Sequence, residues 1–151
     1  MADVLAEFDA VVTALDEANI EFALCGALAL AVHGVPRATK DIDVLAHKTD
    51  ADRIRAAVRA TGFTFEALPM EFSGSGIEVQ GFTKLLDGIP LTVDVLWVNP
   101  KLQQVWDGRE RVAWRDRELA VVSREGLITL KLTAGRAQDP GRRAEPQRGG
   151  G

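Results

Sequence analysis

Residues 26–44 read GALALAVHGVPRATKDIDV. A compact apolar segment ends at His33-Gly34. A short basic linker follows, with Arg37, Thr39 and Lys40, and then come two aspartates one residue apart, Asp41 and Asp43. In a strand, residues i and i+2 project from the same face. Both carboxylates then point one way, and Ile42 and Val44 point into the core. Two coplanar carboxylates repel each other unless something positive sits between them. Hard divalent cations such as Mg²⁺ or Mn²⁺ take oxygen ligands of this kind. The pair is a sign of metal-dependent phosphoryl chemistry.

Upstream of this stretch, IEFALC at 20–25 reads as a short buried strand. Gly26 starts a tight turn into a helix over Ala27 to His33, which is apolar nearly all round and so expected to be buried. Gly34 closes it and Pro36 prevents its continuation. A Gly-containing turn after a buried strand presents backbone N–H groups to an anion, which makes Gly26 and Ala27 candidates for phosphate contacts. Further back, Asp3 is placed to cap a helix whose apolar face is Val4, Phe8, Val11, Val12 and Leu15, ending near Asn19.

Downstream, the pattern predicts a helix over Asp50 to Ala60 with Ile54, Ala57 and Val58 inward, stopped by Gly62. Phe63 to Leu68 reads as a strand, Met70 to Gly76 as a mobile Gly/Ser loop, and Ile77 to Phe82 as an edge strand or lining segment. Leu91 to Val98 (LTVDVLWV) is a strong strand with Thr92 and Asp94 on one face and Val93 and Val95 on the other. Asn99-Pro100 opens a short helix through Trp106. Arg109 to Trp114 and Glu118 to Val122 form a hairpin or a strand with a loop. Ser123 caps a last helix over Arg124 to Ala134.

The whole chain has 151 residues, 46% hydrophobic, with a formal net charge of −4. That predicts one domain over 1–137 and a disordered tail over 138–151, where no apolar residue exceeds alanine in size. The acidic balance excludes a surface coated in basic residues for non-specific nucleic-acid binding and leaves room for a local basic cleft. The single cysteine, Cys25, has no internal disulfide partner and reads as a small buried side chain. The start MADVLAEFD lacks the basic opening of a signal peptide, and no apolar run reaches membrane-spanning length, so the expected location is the cytoplasm.

Asp94 stands in an apolar strand, where an acid needs a partner or a metal. Beside Asp41 and Asp43 it completes a three-carboxylate cradle. Such a cradle next to a phosphate-binding turn describes nucleotidyl transfer from a nucleoside triphosphate, with Asp94 also placed to help deprotonate an attacking hydroxyl. The plainer alternative for Asp94 is an ordinary charge on a solvated face. His33 reads as a structural histidine at a helix end. Trp97, Trp106 and Trp114 read most simply as core or interface residues.

The chain resembles the minimal nucleotidyltransferases of the DNA polymerase β-like superfamily, through Gly26-Ala27, Asp41-Ile42-Asp43 and Asp94. It is most similar to AbiEii-type toxin nucleotidyltransferases, which share Gly-x-Leu-Ala-x-x-x-His-Gly-x-x-Arg-x-Thr-x-Asp-Ile-Asp, present here from Gly26 to Asp43. They also carry Lys-Leu-x-Ala-x-Arg-x-x-Asp, matched at Lys131, Leu132, Ala134, Arg136 and Asp139. The resemblance implies a mixed α/β fold with a short twisted mixed sheet flanked by helices. It implies Mg²⁺ or Mn²⁺ on Asp41, Asp43 and Asp94, and a triphosphate such as ATP contacted by Gly26, Ala27, Arg37, Thr39 and Lys131, with Lys131 also a catalytic candidate. It further implies an RNA acceptor (tRNA), a toxin role and a cognate antitoxin or regulator as partner; with no apolar run of membrane-spanning length, no membrane partner is expected. Two features depart from the pattern: Ala27 replaces a glycine or serine, and Pro140-Gly141 interrupts the last helix. They give weight to one alternative, a non-catalytic nucleotide-binding regulator on the same scaffold; a second alternative is an antitoxin-like enzyme that nucleotidylates a partner protein.

Overall fold

A computed structural model describes residues 4–34, 40–71 and 74–138, with side chains through 133. The chain order is α1 (Val4–Glu17), β1 (Phe22–Cys25), α2 (Gly26–Val32), β2 (Asp41–Ala46), a 3-10 turn (Lys48–Asp50), α3 (Ala51–Ala60), β3 (Phe65–Glu66), β4 (Met70–Glu71), β5 (Glu78–Leu86), β6 (Ile89–Trp97), α4 (Gln103–Asp107), β7 (Glu110–Trp114), β8 (Arg117–Val121) and α5 (Arg124–Gln138). The strands join one mixed sheet in the order β3-β5-β6-β2-β1-β8-β7, with β4 on β5. The neighbours β2–β6 and β1–β8 run parallel, and the other pairs run antiparallel.

Alternation along each strand serves two cores. Leu24, Ile42, Val44, Val93 and Val95 face Phe8, Val11 and Leu15 of α1 and Ile54 and Val58 of α3. Ala23, Cys25, Leu45 and Val79 face the other way, toward Val105 and Trp106 of α4 and Leu130 of α5. A strand buried on both faces is fixed in register, because a slip of one residue would exchange the two cores. On β2 this places Ile42 on the α1/α3 side and Asp41 and Asp43 on the α4/α5 side.

Several boundaries move from the sequence expectation. The segment over Ile77 to Phe82 is not an edge. Residues 78–82 belong to the longer β5, which is covered on its outer side by β3 and β4, while Ile77 and Val79 line a cavity, as the lining alternative expects. The strand expected over Phe63 to Leu68 shrinks to Phe65–Glu66. Helix α2 is only partly buried: Leu28 and Ala29 are in the core, while Ala27 and Leu30 face a cavity. The described part of the Gly/Ser loop is tied down. The Ser75 carbonyl accepts from Lys101 Nζ at 3.0 Å, and the Gly76 carbonyl from Asn99 Nδ2 at 2.8 Å. Asn99 Oδ1 also accepts from the Leu102 N–H at 2.9 Å, stabilising a turn, so α4 begins only at Gln103. Arg115, at φ 58°, makes the β7–β8 segment a true hairpin. Ser123 caps α5 as expected, its Oγ accepting from the Gly126 N–H at 3.0 Å, and the helix continues past Ala134 to Gln138. The expected cap Asp3 and tail residues 139–151 lie outside the described residues.

The core assignment has a direct test in urea denaturation. Ile42→Ala, at a site with 0% exposure, should cost about 3 kcal/mol of unfolding free energy. Leu132→Ala, at 54% exposure, should stay within about 0.5 kcal/mol of the parent.

Candidate active site

The parallel pairing of β2 with β6 sets Asp43 directly opposite Asp94, with Asp41 two residues earlier on the same face of β2. All three side chains line one cavity of about 500 Å³ together with Gly26, Ala27 and Lys131. Asp43 and Asp94 are half-buried, and Asp41 and Lys131 are exposed. The remaining wall is apolar, built from Leu30 of α2, Leu96 of β6, and Leu127 and Leu130 of α5, among others. The structure therefore brings together Asp41, Asp43, Asp94, Gly26, Ala27 and Lys131. Arg37, Thr39 and Asp139 lie outside the described residues, as does the side chain of Arg136.

Two glycines make room for the acids. Gly26 has φ +69°, and a Cβ built on it would lie 2.1 Å from Asp43 Oδ2, so only glycine permits this approach. On the other flank, a Cβ on Gly81 of β5 would lie 2.9 Å from Asp94 Oδ1. Gly81 pairs with Asp94 across the β5–β6 ladder. The sequence reading did not single out Gly81. The available signal was an isolated glycine inside a strand pattern, which marks a close approach.

The electrostatics follow from this crowding. Burial, then the negative charge of Asp94, then that of Asp41, raise the Asp43 carboxyl from 3.8 to about 7. Burial and then Asp41 raise Asp94 as well. Burial first, then Asp43 and Asp94, hold the Cys25 thiol well above its ordinary value, so it stays protonated. No basic side chain among the described residues forms an ion pair with Asp43 or Asp94. The chemistry of this donor set, all carboxylate oxygen, fits a hard divalent cation. Among the described residues, no three His, Cys, Asp or Glu side chains are already gathered closely enough to hold one.

His33 sits at the end of α2. Its ring Nε2 donates to the Val122 carbonyl at 2.9 Å, in keeping with a structural histidine. Trp97 and Trp106 are core residues, and Trp114 packs edge-on against Phe8. No helix among the described residues is long and apolar enough to cross a membrane.

Two predictions follow from the acids and their glycines. Between pH 4 and 7 the folded Asp43 keeps a proton that the unfolded chain has released. The metal-free protein, in chelator, should therefore lose stability as pH rises through that window, by at most about 4 kcal/mol. Asp43→Asn should flatten this slope in urea titrations. Gly26→Ala and Gly34→Ala both place alanine at positive φ, but only the first meets Asp43; Gly34 faces open space. Thermal melts should show Gly34→Ala costing about 1 kcal/mol and Gly26→Ala clearly more.

Comparison with known proteins places this geometry among known folds. A family model described as aminoglycoside-2″-adenylyltransferase matches residues 7–88. Among solved structures, a candidate nucleotidyltransferase from Thermotoga maritima superposes with a TM-score of 0.66 at 19% identity, over 91% of this chain and 88% of that one. The solution structure of the antibiotic-resistance factor ANT(2″)-Ia gives 0.61 at 18% identity, over 94% and 76%. The crystal structure of ANT(2″)-Ia with adenylyl-2″-tobramycin gives 0.60 at 19%, over 93% and 79%. The expected mixed α/β nucleotidyltransferase-like fold, a twisted sheet flanked by helices, is the fold these structures share. Among curated proteins, no significant match is found.

Proposed function

We propose a reaction for this chain on the premise that it belongs to the aminoglycoside-2″-adenylyltransferase family, and so to the nucleotidyltransferases of the DNA polymerase β-like superfamily. It transfers a nucleoside monophosphate from a nucleoside triphosphate to an acceptor hydroxyl. The observation that carries this reading is the placement of Asp43 opposite Asp94, with Asp41 beside them, in a cavity that Gly26 and Ala27 also line.

Asp41, Asp43 and Asp94 would hold Mg²⁺ or Mn²⁺, which when bound supplies Lewis-acid polarisation of the phosphoryl oxygens and neutralises the leaving pyrophosphate. The chain's own groups do the rest. Backbone N–H groups at Gly26 and Ala27 orient the phosphates, and Lys131 steadies them through charge-assisted contacts. Arg37 and Thr39 join this set through the motif they occupy. The acceptor oxygen forms a bond to the α-phosphorus as the bridging bond to pyrophosphate breaks. Asp94 accepts or relays the hydroxyl proton, a role that suits a carboxylate whose affinity for protons is raised.

For the acceptor we favour RNA, tRNA in particular, with the protein acting as a toxin held in check by a cognate antitoxin or regulator in the cytoplasm. The support is the AbiEii-type run from Gly26 to Asp43. An aminoglycoside is the second reading, favoured by the family match. It is a polycation, and a site for it needs acids beyond those that hold metal. The described cavity wall offers Asp41, Asp43 and Asp94 and is otherwise apolar apart from Lys131. An antitoxin-like enzyme acting on a partner protein, or a non-catalytic regulator on the same scaffold, are the remaining readings.

Labelled triphosphates supplied with Mg²⁺, total RNA and soluble protein from a host extract, and a panel of aminoglycosides, separate these readings by where the label goes. Label in tRNA is the expected result. Asp41→Asn with Asp43→Asn should abolish transfer and leave the fold intact. Transfer at the parent rate by that double variant overturns the assignment of the pair. No labelled acceptor with the parent protein leaves the non-catalytic reading.

A further inference from the structure

Arg124 is the first residue of α5 and its side chain is exposed. A cation at a helix N-terminus opposes the helix dipole, so its position calls for another reason. Its Nη2 donates to the His33 carbonyl, 91 residues away in sequence, at 2.7 Å. That carbonyl belongs to the C-cap of α2, where backbone acceptors lack partners within the helix. The His33 ring returns the connection, its Nε2 donating to the Val122 carbonyl at 2.9 Å. Val122 in turn donates its N–H to the Leu24 carbonyl at 2.9 Å. The segment from Val122 to Arg124 is thus stitched to both ends of the Leu24–His33 unit. One attachment lies just before Gly26 and the other just after α2.

These two elements are opposite sides of one space. Helix α2 contributes Ala27 and Leu30 to the cavity, and α5 contributes Leu127, Leu130 and Lys131. The geometry points to Arg124 as a positioning residue: its bond to His33 fixes the gap between α2 and α5 and so the fit of the cavity to the triphosphate. The choice of ligand rests on the reaction proposed above, and the latch on geometry alone. A charge-assisted hydrogen bond between two cavity walls acts on ligand binding more than on the chemical step.

The chain carries its own reporter of that gap. Cys25 is its one cysteine, 2% exposed, and lines the cavity. Labelling by N-ethylmaleimide, followed by mass spectrometry well below the melting temperature, reads how often the cavity opens. Arg124→Ala should label about tenfold faster than the parent, and Arg124→Lys, which keeps a donor, should stay near the parent rate. In calorimetry with α,β-methylene-ATP and Mg²⁺, Arg124→Ala should bind about tenfold more weakly, with Arg124→Lys largely rescued. A lowered melting temperature with Cys25 labelling at the parent rate would show a residue that only supports the fold, and overturns the proposal. If the parent fails to bind the analogue, the reaction assigned to the site fails, and the Cys25 rates alone decide the latch.

Discussion

Three carboxylates repelling one another across a parallel strand pair are the constraint around which this molecule is built. Asp43 and Asp94 are register partners, so they cannot move apart without breaking the sheet, and only a proton or a cation relieves their repulsion. Holding them there is the work of the face behind them. Ile42, Val44, Val93 and Val95 point away from the acids into a core shared with α1 and α3. Burying four such side chains stabilises by roughly 1.5–3 kcal/mol each. That exceeds the cost of one carboxyl forced up by about three pH units, about 4 kcal/mol. The apolar residues win, and the acids stay where chemistry can use them.

The same constraint explains which parts of the site were legible in the sequence. Asp41 and Asp43 announce themselves because a strand's period of two is local. The identity of Asp94 as their companion was readable only as an acid misplaced in an apolar strand. The pairing that makes it a neighbour joins segments far apart in the chain, and nothing in either segment states it. Gly81 went unnoticed for the same reason, since its lack of a side chain matters only once Asp94 lies across the ladder. The helices α1 and α3 were readable from their apolar faces. The extent of β5 is set by its ladder with β6 from Val79 to Leu86 across the Asp87-Gly88 turn, a hairpin signal that the sequence carries locally. Cavity-facing positions such as Leu30 read as core, since an apolar residue beside a cavity and one inside a core look alike in sequence.

The span matched by the family model ends at residue 88, before Asp94 and before α5. It takes in α1, the Gly26 turn, and the strand with Asp41 and Asp43. The third acid, Lys131 and the apolar wall from Leu127 and Leu130 lie beyond it. In the proposed reaction the first half of the chain supplies Asp41, Asp43 and the N–H groups at Gly26 and Ala27, and the second half supplies Asp94, Lys131 and the apolar wall.

Joining β2 to β6 also bears on the path by which the chain reaches this state. The sheet neighbours closest in sequence are hairpins or near-hairpins, β5–β6 and β7–β8, and they close without bringing the three acids together. The parallel β2–β6 contact spans the 3-10 turn, α3 and three strands, so its loop-closure cost is larger and its formation slower. It is the step that brings Asp94 beside the Asp41–Asp43 pair. The electrostatic cost of the site is therefore incurred when β6 joins β2, and not when either hairpin closes.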